Sequence, residues 1–241
     1  MIEEKKYWIG FNLVRGIGSV RFKQILSYFG DLSHAWDAPA ESFLKAGLPD
    51  RALQNFLQLR KQIDLDQYVD SIFDKGISVL TLLDQDYPRL LKEIDQSPPV
   101  LYIKGTLTPA DELAVAMVGT RRVSAYGQQV TRDTSTYLAG NGLTIVSGLA
   151  RGVDALAHQH ALQAGGRTIA VDRLHQCPVI GVHELRGKVT NLNDHVLDQA
   201  ALIRRRVGQN IPDYRVPVPR VPHADAEAPE VRAAERGLDV L

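Results

Sequence analysis

The chain has little of what holds small secreted or metal-centred folds together. Cys177 is the one cysteine in 241 residues, which excludes an intramolecular disulfide framework and a cysteine-rich zinc site. No apolar run approaches the roughly 18 residues of a membrane-spanning helix. The opening Met-Ile-Glu-Glu-Lys-Lys has no apolar signal core behind it, so a cytoplasmic protein with no membrane partner is expected. Neither charge sign is in excess, with 28 Lys plus Arg against 28 Asp plus Glu. Any nucleic-acid site must therefore be a local patch. There is no Gly-x-x-x-x-Gly-Lys-Ser/Thr loop, and no Gly-x-Gly-x-x-Gly follows a strand, which removes the usual machinery of nucleotide hydrolysis and NAD binding. Metal ligands at useful spacing are missing too, since His158 and His160 are two apart on a helix and point to different sides. No cofactor and no metal are expected, and the chain reads as a protein without enzymatic activity.

With 44% hydrophobic and 23% charged residues, the chain has ordinary globular composition and room for one or two domains. Its organising stretch is Val115 to Val171. Apolar runs end at Gly119 and Gly148, and each is followed by about a dozen residues of helical composition, the pattern of parallel strands joined by crossover helices. An α/β fold with three neighbouring parallel strands in residues 114–171 follows. The strands are expected at Ala114 to Val118, Leu143 to Val146 and Thr168 to Val171. The helices are expected at Tyr126 to Ala139, with Val130, Thr134, Tyr137 and Leu138 facing inward, and at Asp154 to Ala164.

Loops at the carboxyl ends of such strands converge, and the helix start behind each offers free N–H groups to an anion. Both loops also carry arginine: Arg121 and Arg122 after Gly119-Thr120, and Arg151 between Gly148 and Gly152. Glycine permits close approach of a phosphate to the backbone, and arginine adds a bidentate fork. The expected phosphate site is Gly119, Thr120, Arg121, Arg122, Ser147, Gly148, Arg151 and Gly152, with Thr120 and Ser147 either donating hydroxyls to the phosphate or satisfying the turn backbone. Tyr126 is placed for base stacking or for packing at its helix start. Asp154 is expected to cap its helix, and His158, one turn later on the same face, to hydrogen-bond to it. No nucleophile accompanies that pair, so both read as structural rather than catalytic.

Upstream, residues 5 to about 65 read as short helices broken at Gly16-Ile17-Gly18, Gly30-Asp31, Pro39 and Gly47-Leu48-Pro49. The Gly16-Ile17-Gly18 turn is either a tight connection between packed helices or a phosphate-holding hairpin aided by Arg15, Arg21 or Lys23. One more helix, Asp66 to Lys75, is stopped by Gly76. Short strands follow at Ile77 to Leu83 and Val100 to Lys104.

Gly119-Thr120-Arg121-Arg122 with Tyr126-Gly127, then Ser147-Gly148-Leu149-Ala150-Arg151-Gly152-Val153-Asp154, Ala157-His158 and Gly165-Gly166-Arg167-Thr168-Ile169-Ala170-Val171, resemble the DprA (Smf) family of DNA-processing proteins. Asp86-Tyr87-Pro88-Arg89 and Pro98-Pro99-Val100-Leu101-Tyr102 extend the likeness upstream, so that it covers roughly residues 8 to 171. The resemblance implies a Rossmann-like domain that binds single-stranded DNA and helps load RecA recombinase during natural transformation, with RecA and a second copy of the chain, as a homodimer, as partners. The domains expected are a small helical SAM/helix-hairpin-helix-like domain at 1–66, a Rossmann-like DNA-binding core at 67–171, and an irregular tail at 172–241. The same core type also serves LOG phosphoribohydrolases, so a nucleotide-binding enzyme is the alternative. It lacks support here, because no Pro-Gly-Gly-x-Gly-Thr run followed by Glu is found. An inactive remnant is the third reading.

Residue usage changes after Val171. Residues 172–241 hold one Lys and nine Arg, no Ser, Phe or Trp, and half of the 12 prolines. Val216-Pro217-Val218-Pro219-Arg220-Val221-Pro222 is poor material for a helix or a central strand. The family's Gly-rich turn and its Phe-Pro and Asn-Arg segment are absent. This reads as a shifted frame or truncated gene copy, with a divergent C-terminal half as the alternative, leaving the parallel sheet incomplete, with one helix at Val196 to Ile203 as the best candidate element of the tail.

Overall fold

The computed structural model describes residues 2–174 and 177–183. It begins with helices α1 (Ile2–Leu13), α2 (Ser19–Phe29), α3 (Leu32–Asp37), α4 (Ala40–Lys45), α5 (Asp50–Gln62) and α6 (Leu65–Phe73). The breaks are those that glycine and proline impose. Asp31 also caps α3, its carboxylate accepting from the N–H groups of Ser33 and His34 at 2.6 and 3.1 Å, and Asp64 caps α6 through the N–H of Gln67 at 3.0 Å.

These helices share an aromatic core. Phe11 stacks on Phe56 at 4.9 Å and meets Trp36 edge-on at 5.3 Å, while Phe43 lies 4.8 Å from Phe56. The same cluster takes in Ile77, Val79, Val100 and Tyr102, so the helices cover the first two strands of the sheet that follows.

That sheet has six strands: β1 (Ile77–Thr81), β2 (Val100–Lys104), β3 (Ala114–Ala116), β4 (Thr144–Gly148), β5 (Thr168–Leu174) and β6 (Cys177–His183), in the order β1-β2-β6-β5-β4-β3. A short helix, α7 (Arg89–Lys92), lies between β1 and β2; α8 (Ala125–Gly140) and α9 (Val153–Gln163) connect β3 to β4 and β4 to β5. β3, β4 and β5 are neighbours and parallel, with Val115 opposite Ile145 and Val146 opposite Ile169. The Rossmann-like βαβαβ unit expected from the sequence is therefore present.

Two expectations fail. The inward face of α8 is Thr131, Ser135 and Ala139, with Leu138 half-buried, whereas Val130, Thr134 and Tyr137 are exposed. Small residues win because α8 lies close over its neighbours: a Cβ on Gly166 would stand 2.6 Å from the Cβ of Ala139, and Ser135 donates to the Met117 sulfur.

The second failure concerns the tail, which does contribute to the sheet. β5 runs on to Leu174, and β6 pairs antiparallel with it from Thr168–His183 to Leu174–Cys177. β6 also pairs parallel with β2, Tyr102 opposite Val179. The free edge of β5 needs a partner, and Val179-Ile180-Gly181-Val182 is β-branched enough to supply one. Pro178 is tolerated because it is the second residue of the strand, ahead of the residues that pair with β2. The expected helix at Val196 to Ile203 and the Val216 to Pro222 segment lie outside the described residues. Among the described residues no helix is long and apolar enough to cross a membrane.

Candidate nucleic-acid interface

The carboxyl ends of β3 and β4 deliver two loops, 117–124 and 148–152, to the same place. They are locked together by contacts that only glycine allows. Gly152 has φ +91, and a Cβ there would run into the Thr120 carbonyl and the Arg121 backbone. The N–H of Val153 donates to the Thr120 carbonyl at 3.2 Å. A Cβ on Gly119 would stand 2.6 Å from Val153 Cγ2, and one on Gly148 would stand 2.6 Å from Asp154 Oδ2. The glycines expected to let a phosphate approach thus serve loop-on-loop packing first.

What remains for an anion is distinct from the glycines. Arg121, Arg122 and Arg151 are exposed, and among the described residues their guanidinium groups make no hydrogen bond or ion pair. At the start of α9, the N–H groups of Asp154 and Ala155 meet no acceptor among the described residues, since the first intrahelical bond is from Leu156 to the Gly152 carbonyl. Cationic forks beside open N–H groups at a helix start are suited to phosphate. Tyr126 is 80% exposed at the start of α8, free to stack.

The hydroxyls point elsewhere. Ser147 is buried and donates to the Met117 carbonyl at 2.5 Å, tying β4 to the first residue of loop 117–124. Thr120 Oγ1 accepts from the Arg122 N–H at 3.1 Å, which satisfies the turn. Asp154 does not cap α9: Gly152 is the cap residue and no side-chain cap bond is made. Nor does His158 bond to Asp154. Its Nε2 lies 2.9 Å from the Gly148 carbonyl and its Nδ1 2.6 Å from Thr168 Oγ1. Burial pushes this imidazole below its ordinary pKa, against the opposing pull of the Gly148 bond and the Asp154 charge. His158 is a positioning residue that fixes the base of the second loop to β5. Nothing in its sequence position distinguishes Thr168 and Gly148 from Asp154 as partners, because strand neighbours are invisible to helical spacing.

Sequence patterns also give no sign of the clamp at the opposite end of the strands. Asp111, in the 3-10 turn Pro109–Glu112 before β3, accepts from Arg167 Nε and Nη2 at 2.9 and 2.8 Å and from Thr144 Oγ1 at 2.9 Å. Burial pushes Asp111 up, but the Arg167, Thr108 and Thr144 bonds outweigh it and hold the carboxyl below its usual range. One buried carboxylate therefore staples the starts of β3, β4 and β5 while the loops occupy their far ends.

The alternative phosphate hairpin is largely self-occupied. Arg21 Nη1 donates to the Gly16 carbonyl at 2.5 Å, Lys23 Nζ to the Asp95 carbonyl at 3.1 Å and Ser19 Oγ to the Gln96 carbonyl at 3.2 Å. Ile17 is buried, as a packed turn requires.

Residues 78–174, which contain both loops and the clamp, match the family model for DNA recombination-mediator protein A. The chain is 38% identical to Protein Smf of Synechocystis sp. over 173 residues, 70% of this chain and 44% of that protein. It is 42% identical to DNA processing protein DprA of Streptococcus pneumoniae over 116 residues, 48% of this chain and 40% of the relative. The chain belongs to the DprA/Smf family. The X-ray structure of DprA from S. pneumoniae superposes with a TM-score of 0.56 at 26% identity, covering 84% of this chain and 73% of that one. The matched stretch also spans 33% of DprA of Bacillus subtilis at 38% identity, so this chain spans less than half the length of these curated DprA/Smf relatives. The loops and their arginines fall within the DprA/Smf segment; the helices α1 to α6 precede it.

Proposed function

We propose that this chain is a DNA-processing protein that binds single-stranded DNA without catalysing a reaction on it, its phosphates seated over the interlocked 117–124 and 148–152 loops. The observation that carries this reading is the set of three exposed arginines, without a hydrogen-bond or ion-pair partner among the described residues, beside the N–H groups at the start of α9. In a chain with no net charge, that patch is where an electrostatic footprint can form. Phosphate contacts of this kind position a strand without reading its sequence, and the exposed Tyr126 supplies a stacking surface that every base can use. Membership of the DprA/Smf family supports a role in transformation, in a cytoplasmic setting, with RecA and a second copy of the chain as partners.

Titration of the chain with a short single-stranded oligonucleotide, run beside a nucleotide-hydrolysis assay, tests this. Salt-sensitive binding of the oligonucleotide with no release of base or phosphate from nucleotides is expected. Hydrolysis without strand binding would replace this reading with that of a nucleotide-processing enzyme.

A further inference from the structure

Asp154 is 8% exposed and makes no hydrogen bond or ion pair among the described residues. Its Oδ2 lies directly under the second loop, 2.6 Å from where a Cβ on Gly148 would stand. A carboxylate set this deep, with no donor among the described residues, keeps only a narrow contact with water, since its oxygens are not among the fully buried atoms without a partner, and so has lost most of its hydration without a replacement. The helix start offsets only part of that, since Asp154 is the second residue of α9. The neighbouring candidates are committed: His158 faces the Gly148 carbonyl and Thr168, and Ser147 faces Met117. A nearly buried polar group left open in this way is completed by water or by a donor that displaces it.

We infer that Asp154 accepts a hydrogen bond from a neutral N–H or O–H donor of the nucleotide seated on the loops. This rests on the strand-binding reading above and deepens it. A phosphate oxygen carries no proton to give and repels the carboxylate, so the phosphate belongs to the arginines and the donor must come from the rest of the nucleotide. Two sources on the same strand fit: a base edge, of which guanine offers adjacent N–H groups matched to two carboxylate oxygens, or the hydroxyl of a strand end. Asp154 then gives a preference among strands that the arginines cannot give.

The test uses the full chain and equal-length strands in binding titrations. One strand is an abasic backbone with phosphate on both ends and offers neither donor. The second carries one guanine at its centre, and the third is abasic with a free 3′-hydroxyl. The chain is expected to bind the second or the third about tenfold more tightly than the first, the effect of one charge-assisted hydrogen bond. Whichever of the two is preferred identifies the source. Asp154→Asn is expected to erase the preference and to bind the first strand more tightly than the unaltered chain does, because the repulsion of its phosphates is gone. A ligand-side control needs no variant: replacing guanine by 1-methylguanine keeps the stacking ring but removes the N1–H, and is expected to reduce a base-edge preference as a terminal phosphate removes a hydroxyl one. Equal binding of all three strands, a preference that survives in Asp154→Asn, or one that appears only with magnesium present overturns the inference. If the first strand binds with arginine-dependent affinity while no preference exists, only the role of Asp154 fails. If no strand binds, the role of Asp154 falls together with the strand-binding reading.

Discussion

Gly152→Ala is expected to destabilise the chain by about 3 kcal/mol and to lower single-strand affinity at least about tenfold. The added methyl has nowhere to go. At φ +91 an L side chain is strained, which alone costs on the order of 1–3 kcal/mol. The clash with the Thr120 carbonyl and Arg121 backbone adds a similar amount, because backbone cannot step aside as a flexible side chain does. Relief requires the 148–152 loop to move away from the 117–124 loop, breaking the bond from the Val153 N–H to the Thr120 carbonyl and separating Arg121 from Arg151. Gly165→Ala is the control: φ is +74 there too, but a Cβ would meet open space. About 1 kcal/mol and unchanged binding are expected of it. Denaturant unfolding of both variants measures the difference; equal losses would mean that the loops are not locked as described.

Asp111→Ala is expected to cost about 3–5 kcal/mol, the usual consequence of removing one member of a buried pair. The Asp111 and Arg167 side chains are 7% and 18% exposed, so solvent replaces little of what is removed. The bidentate fork also joins β3 and β5 with Thr144 of β4 between them, and Arg167→Lys, which cannot make it, is expected to lose most of the same stability. The pH dependence has a definite sign. The folded carboxyl titrates below its unfolded value of about 3.9, so between the two values the unfolded chain binds more protons and stability rises with pH. The contribution is complete above the unfolded value and disappears as pH falls through the folded one. Asp111→Ala should therefore flatten the acid limb of the stability profile while leaving DNA binding at neutral pH unchanged in salt dependence. An acid limb identical in the two proteins would remove Asp111 as its source.

The contrast between these two positions shows what is legible in the sequence. Glycine, proline and apolar spacing mark every break between α1 and α5 and the three parallel strands, because those signals are local. The two loops and their arginines are legible for the same reason. Partnerships across the fold are not. Asp111 and Arg167 are 56 residues apart, and His158 reaches Thr168 and Gly148 through strand register rather than helical spacing. The inner face of α8 escapes a hydrophobicity pattern, which points to Val130 and Tyr137, whereas close packing selects Thr131, Ser135 and Ala139. β6 is hidden by the composition of residues 172–241 as a whole, from which the edge of β5 recruits seven well-suited residues.

The central claim, that strand phosphates sit on the two interlocked loops, is tested most directly by the salt dependence of single-strand binding in a chain with Arg121, Arg122 and Arg151 all changed to alanine. Removing one phosphate neutralisation lowers the log-log slope by about 0.7 on a single strand, so the slope should fall by about 2 and affinity should fall most at low salt. Unchanged affinity and slope would contradict the account and move the phosphates to another surface, such as the turn from Arg15 to Lys23.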